Sequence, residues 1–162
     1  MILFKQIICS SIFAMIISLH QNEFAVTQKD VTKSLTAMPI EKEILVLINE
    51  HRRSIGLSAL TMMDEVTEQA IKHSREMANE TVSFGHEGFD NRIANIRKKV
   101  GVIYAWAENV ASGQTSAQQV VEDWLNSPGH KKNIEGNYNY TGIGVVTDKE
   151  GTTYFTQIFI QK

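Results

Sequence analysis

Two β-rich segments near the carboxyl end, Thr141 to Thr147 and Thr152 to Ile160, are separated only by Asp148-Lys149-Glu150-Gly151. Runs of β-branched and aromatic residues on either side of so short a turn predict an antiparallel hairpin. Upstream the apolar period changes. Ile40, Ile44, Leu47 and Ile48 fall at i, i+4, i+7 and i+8, a helical stripe. Pro39 suits its first turn, Arg52 and Arg53 suit the negative end of its dipole, and Gly56 is a natural stop. Val66, Ala70, His73 and Met77 share a face of a second helix over about 65–80, with Asp64 as its N-cap. Phe89, Ile93, Ile96 and Val100 predict a third helix that ends at Gly101, with Arg92, Arg97, Lys98 and Lys99 on its surface. Thr115 and Gln118 form a T-x-x-Q capping box before the apolar face of Val120, Val121, Trp124 and Leu125. Ser127-Pro128-Gly129 breaks that helix, and His130 to Glu135 predict another turn. Leu57 to Leu60 reads as a short connection or strand, and Tyr104 to Ala111 as a strand or extended loop. Helices first and a hairpin last must bury their apolar faces on one another, which predicts an α+β layered domain.

The amino end has another character. Lys5 is the only charge before Glu23, and Ile7 to Leu19 is uncharged and mostly apolar. That run is short of the roughly 20 residues that span a bilayer. A basic start, an apolar middle and the small Ala25 read as a secretory signal over residues 1–25. An uncleaved anchor and a lipid attached at Cys9 are the weaker alternatives. Cys9 is the single cysteine, so export with cleavage leaves no disulfide and no Cys-x-x-Cys metal module. Residues 26–37 are polar and lack a period, a tail or linker. Residues 38–162 are long enough for one core. With 16 Lys and Arg against 18 Asp and Glu, the net charge of -2 offers no strong basic field to draw the chain to nucleic acid or anionic lipid.

Four histidines lie beyond the leader. His51 sits among charges at a helix end and is expected to face solvent, whereas His73, on an apolar face, is expected to be a hydrogen-bonded core histidine. His86 and His130 each follow a glycine in a loop or at a helix edge, where a side chain can enter a cleft. Glu108 stands between small and apolar residues, and a buried carboxylate demands a partner. Two imidazoles and a carboxylate can hold a divalent metal with water completing the shell, or polarise water without one. Their spacings match no local metal signature, so three unrelated surface residues is the plain alternative. Ser127 lies three residues before His130, but no nucleophile elbow surrounds it, and it reads as a helix-terminus residue. Trp124 reads as a core anchor.

Several of these segments, in order, resemble the CAP superfamily (cysteine-rich secretory proteins, antigen 5 and group-1 pathogenesis-related proteins), and in particular its bacterial, disulfide-free, SCP-like extracellular branch. Leu47 to Gly56 resembles the family's first helix and Ala70 to Ala78 its second; Phe84-Gly-His86-Glu-Gly-Phe-Asp-Asn-Arg92 resembles the first histidine loop. Glu108-Asn-Val-Ala111, Trp124-Leu-Asn-Ser-Pro-Gly-His130 and Thr141-Gly-Ile-Gly-Val145 complete the order. The resemblance covers about residues 40–160. It implies a three-layer α-β-α sandwich around an antiparallel sheet, with a cleft that gathers two histidines and acidic residues. By motif position these are His86, His130 and Glu108. The second glutamate that many members carry after the tryptophan is replaced here by Leu125-Asn126-Ser127, and the glycine before the Glu-Asn pair by Ala107.

The resemblance implies no single reaction. The first expectation is a secreted or periplasmic binding module whose His86, Glu108 and His130 hold a divalent cation, with zinc the candidate, or a polar ligand. The alternatives are a zinc-dependent, peptidase-like hydrolase and a lipid or sterol carrier. Expected partners are a divalent cation, a lipid, or an extracellular protein or peptide, with no nucleic acid and no stable membrane span once the signal is removed.

Overall fold

The computed structural model describes residues 38–162; the expected signal over 1–25 and the linker over 26–37 lie outside the described residues. The helices are α1 (Ile40–Ser54), α2 (Asp64–Ala78), α3 (Phe89–Val100), α4 (Ala117–Asn126) and α5 (Pro128–Ile134). The strands are β1 (Thr61–Met62), β2 (Ala105–Ser112), β3 (Tyr140–Thr147) and β4 (Thr153–Gln161). They form one sheet in the order β1-β3-β4-β2. The three long strands are antiparallel and β1 adds to β3 in parallel. The expected hairpin is therefore the middle of the sheet. Asp148 shapes its turn, with Oδ1 accepting from the Glu150 and Thr152 amides at 3.0 and 2.8 Å.

Each face of the sheet carries its own core, which makes the expected α-β-α sandwich. On one face Ile44 and Ile48 of α1, Val120, Val121 and Trp124 of α4 and Ile134 of α5 pack on Ala107, Ala111, Ile143, Phe155 and Phe159. On the other, Val66 and Ala70 of α2 and Ile93 and Ile96 of α3 pack on Ile103, Ile158 and Ile160. Full burial of an aliphatic side chain of this size contributes roughly 1.5–3 kcal/mol, so the two stripes read from the sequence hold the layers together. Gly142 and Gly144 let α2 lie almost on the strand. A Cβ at either would come within 2.2 Å of the Thr67 amide nitrogen or 2.3 Å of the Ala70 carbonyl carbon. The register of β3 with β4 is continuous there, so these glycines mark close packing and not a bulge.

Three local expectations move. Asp64 is the first residue of α2, and the N-cap is Met63. The capping box before α4 is one residue later than expected: Ser116 Oγ accepts from the Gln119 amide at 3.2 Å, and Gln119 Oε1 accepts from the Thr115 amide at 3.0 Å. His51 is not free in solvent, because its Nε2–H donates to Glu135 Oε1 at 2.9 Å, tying α1 to the end of α5. Trp124 is the core anchor expected, 1% exposed, with its indole N–H on the Val110 carbonyl.

Candidate functional site

His86 sits in the connection between α2 and α3, flanked by Gly85 and Gly88, whose φ values of +144° and +74° suit glycine. Two side chains hold this connection. His73 of α2 is fully buried, and its Nε2–H donates to the Gly85 carbonyl at 2.7 Å. Arg92 of α3 donates from Nη1 to the Glu87 carbonyl at 2.7 Å. Held this way, His86 is 51% exposed and reaches down to Glu108 on β2, whose side chain is 1% exposed. The His86 Nδ1–H donates to Glu108 Oε1 at 2.9 Å. A carboxylate only accepts, so Nδ1 carries a proton, and in the neutral ring Nε2 then carries the lone pair.

Arg92 completes the arrangement. Its Nε donates to Glu108 Oε2 at 2.8 Å and its Nη2 to Oε1 at 2.7 Å. This two-point guanidinium–carboxylate pair lies almost wholly out of water. The helical pattern places Arg92 on the surface with its neighbours, yet it is buried, because Glu108 is buried and requires a counter-charge. Half of the signal was available: an acid set among small residues calls for a cation.

His130 enters from the other side, on α5, half-buried. Its helix is pinned to β2 by a pair of asparagines. Asn109 Nδ2 donates to the His130 carbonyl at 3.1 Å. Asn133 Nδ2 donates to Asn109 Oδ1 at 2.8 Å and lies 3.2 Å from the Glu108 carbonyl. Burial pulls the His130 pKa below its ordinary value, and the nearby charge that His86 can carry lowers it further. His130 is therefore neutral at neutral pH, the form a metal or a proton can use.

The structure thus brings His86 and Glu108 into contact and sets His130 within electrostatic reach of His86. Among the described residues no group of three or more His, Cys, Asp and Glu side chains is gathered as a ready metal cage. Glu108 has about four lone-pair positions, three are taken by Arg92 and His86, and the guanidinium offsets its charge. As a direct ligand Glu108 would compete with Arg92. As a support behind His86 it fits well, since a metal-binding imidazole ordinarily donates its second ring N–H to a carboxylate. The available donors are His86 Nε2 and the His130 ring. Ser127 makes no side-chain cap bond and stands between α4 and α5.

Known proteins share this fold. The sequence pattern of the CAP family, described as the cysteine-rich secretory protein family, matches residues 45–159. The Bacillus subtilis (strain 168) uncharacterized protein YkwD is 34% identical over 130 residues, covering 75% of this chain and 47% of that protein, so the chain spans about half the length of this curated relative. An outer surface protein from Borrelia burgdorferi superposes with a TM-score of 0.67 at 23% identity, over 75% of this chain and 91% of that one. An extracellular protein containing an SCP domain from Bacillus anthracis str. Ames superposes with a TM-score of 0.65 at 26% identity, over 75% of this chain and 40% of that one.

Proposed function

The chain belongs to the CAP, or cysteine-rich secretory protein, family, and from that premise we propose that it is an exported binding module whose cleft takes a divalent cation, or a polar ligand of similar demand, through His86 and His130. The observation that carries this reading is the line Arg92–Glu108–His86. A buried carboxylate fixed at two points by a guanidinium holds an exposed imidazole in one tautomer, with the other ring nitrogen turned to use. His130, neutral at neutral pH, supplies a second nitrogen donor. Water or a ligand oxygen would complete the shell. A bound divalent ion would supply a Lewis acid; His86 and His130 would orient it, and Glu108 with Arg92 would hold His86 in place. Export through residues 1–25 belongs to the same proposal.

Zinc titration calorimetry on the full chain tests this, with His86→Ala, His130→Ala and Glu108→Gln. One site per chain is expected, lost in both alanine variants. Glu108→Gln should weaken it about 10- to 100-fold, as loss of a supporting hydrogen bond does elsewhere. Wild-type protein that takes up no zinc would end the cation reading. A zinc-dependent peptidase would add turnover abolished by chelator. A lipid carrier would keep its binding in His86→Ala.

A further inference from the structure

Between Asp90 and Glu108 the chain carries Arg92, Arg97, Lys98 and Lys99 and no acid. Arg92 is used up by Glu108. The other three lie in the last turn of α3, exposed. The segment that follows alternates sharply. Val102 is 66% exposed, Tyr104 75% and Trp106 37%, while Ile103 and Ala107 are buried. Ile103 joins the core under α2 and α3 and Ala107 the core under α1 and α4, and the exposed residues leave an aliphatic and two aromatic side chains in water beside a cationic helix end. Arg97 joins the two parts, with its guanidinium 4.1 Å from the centre of the Trp106 ring and Nη2 toward the Ile103 carbonyl. Lys99 is paired with Glu68 of α2, whereas Lys98 meets only the Asn95 side chain and Arg97 only the Ile103 carbonyl and the Trp106 ring. The chain's net charge of -2 conceals this local surplus.

We propose that Val102, Tyr104 and Trp106, rimmed by Arg97, Lys98 and Lys99, form a docking surface for an anionic lipid bilayer. Tyrosine and tryptophan pair an apolar ring with a polar tip and favour the headgroup level. Lysine and arginine stems cover apolar surface while their charges meet anionic headgroups. Val102 decides between partners. A soluble polyanion or an anionic glycan would use the cations and stack on the rings, but gains nothing from an exposed aliphatic side chain; the edge of the acyl region does. The surface lies on the same helix and strand as the candidate cleft, since Arg92 meets Glu108 and Arg97 meets Trp106. The inference does not depend on any occupant of that cleft.

The two tryptophans make the test direct, because Trp124 is buried and only Trp106 can report on a new environment. The full chain is titrated with vesicles of phosphatidylglycerol and phosphatidylcholine in equal parts, with phosphatidylcholine vesicles, and with soluble polygalacturonate. A blue shift of tryptophan emission is expected with the anionic vesicles alone, absent in Trp106→Phe and weakened by raised salt. Lys98→Gln, an exposed change with little risk to folding, should weaken partitioning about fivefold, from ~1 kcal/mol per cation near such a surface. Tyr104→Ser should weaken it as well. Chain that sediments with anionic vesicles without any Trp106 shift would overturn the proposal, because residues elsewhere would then carry the binding. An equal shift with polygalacturonate would overturn it in favour of a glycan.

Discussion

Arg52 and Arg92 are buried almost equally and are partnered in opposite ways. Arg52 donates only to backbone carbonyls: Nε to Ser58 at 2.8 Å, Nη1 to Ile134 and Gly136 at 2.6 and 2.9 Å, and Nη2 to Tyr138 at 3.3 Å. It ties α1 to the turn before β1 and to the chain between α5 and β3, regions that have few regular hydrogen bonds of their own. Without a carboxylate, burial pulls its pKa below the ordinary arginine value. Arg92 faces a carboxylate that has no other cation, and through it an exposed imidazole. One guanidinium satisfies carbonyls so that loops stay folded; the other neutralises an acid so that a side chain can be presented to solvent. Buried charge alone therefore does not identify a site; the partner does.

The widest gap between the two should appear on truncation. Arg92→Leu leaves Glu108 a buried carboxylate with only the His86 N–H against it, which costs about 3–5 kcal/mol. Replacing both partners, Arg92→Leu with Glu108→Leu, removes the stranded charge and should recover most of that loss. Urea unfolding of the wild type, both single variants and the double variant gives the coupling directly. Additive single effects would show that the two side chains do not act as a pair.

Arg52→Met should cost less, up to about 3 kcal/mol, because it leaves carbonyls short of donors and no ion unpaired. Its second readout separates the two arginines. Folded Arg52→Met protein should keep the zinc behaviour of the wild type, whereas Arg92→Leu should change it with the setting of His86. Arg52→Met that alters zinc affinity as strongly as Arg92→Leu would erase the distinction between a loop tie and a site support.

Much of this is legible in the sequence, and the reasons differ by region. Helical stripes, the hairpin and Gly101 follow from period and local chemistry, so α1, α3 and the β3–β4 pair fall where expected. The helix-end cap before α4 lies one residue away from its expected place because Thr115 and Ser116 are both good caps and only three-dimensional geometry selects Ser116. His51 and Arg92 escape a sequence reading for one reason: their partners, Glu135 and Glu108, are distant in sequence. The demand for a partner is visible at Glu108, but its identity is not. The strand β2 stays open as strand or loop because Trp106 and Tyr104 face outward while Glu108 faces inward, which blurs the alternation of a half-buried strand.

The smallest expected effect is in pH. His73 is pulled below its ordinary pKa, first by burial, and then by the positive charge of Arg92; its bond to the Gly85 carbonyl and the charges of Glu108 and Glu76 act the other way. Its Nδ1 has no hydrogen-bond partner, and Glu76 Oε2 stays 3.9 Å away. A histidine whose folded pKa is lowered binds a proton less readily than in the unfolded chain, where it titrates near about 6.5. Between the two values the unfolded state holds more protons, so stability rises with pH. The contribution is complete above about pH 6.5 and is lost as pH falls through the lower folded value. His130 acts in the same direction. Urea midpoints at several pH values should therefore decline on the acid side, less steeply in His73→Gln. The arginines separate here as well. Arg92→Leu removes a repulsion and leaves the attraction of Glu108, so protonated His73 is better tolerated and the decline should become shallower. Arg52→Met, remote from His73 in its contacts, should leave the slope as it is. Equal slopes in Arg92→Leu and the wild type would mean that burial alone sets the His73 proton, and that the influence of Arg92 ends at Glu108.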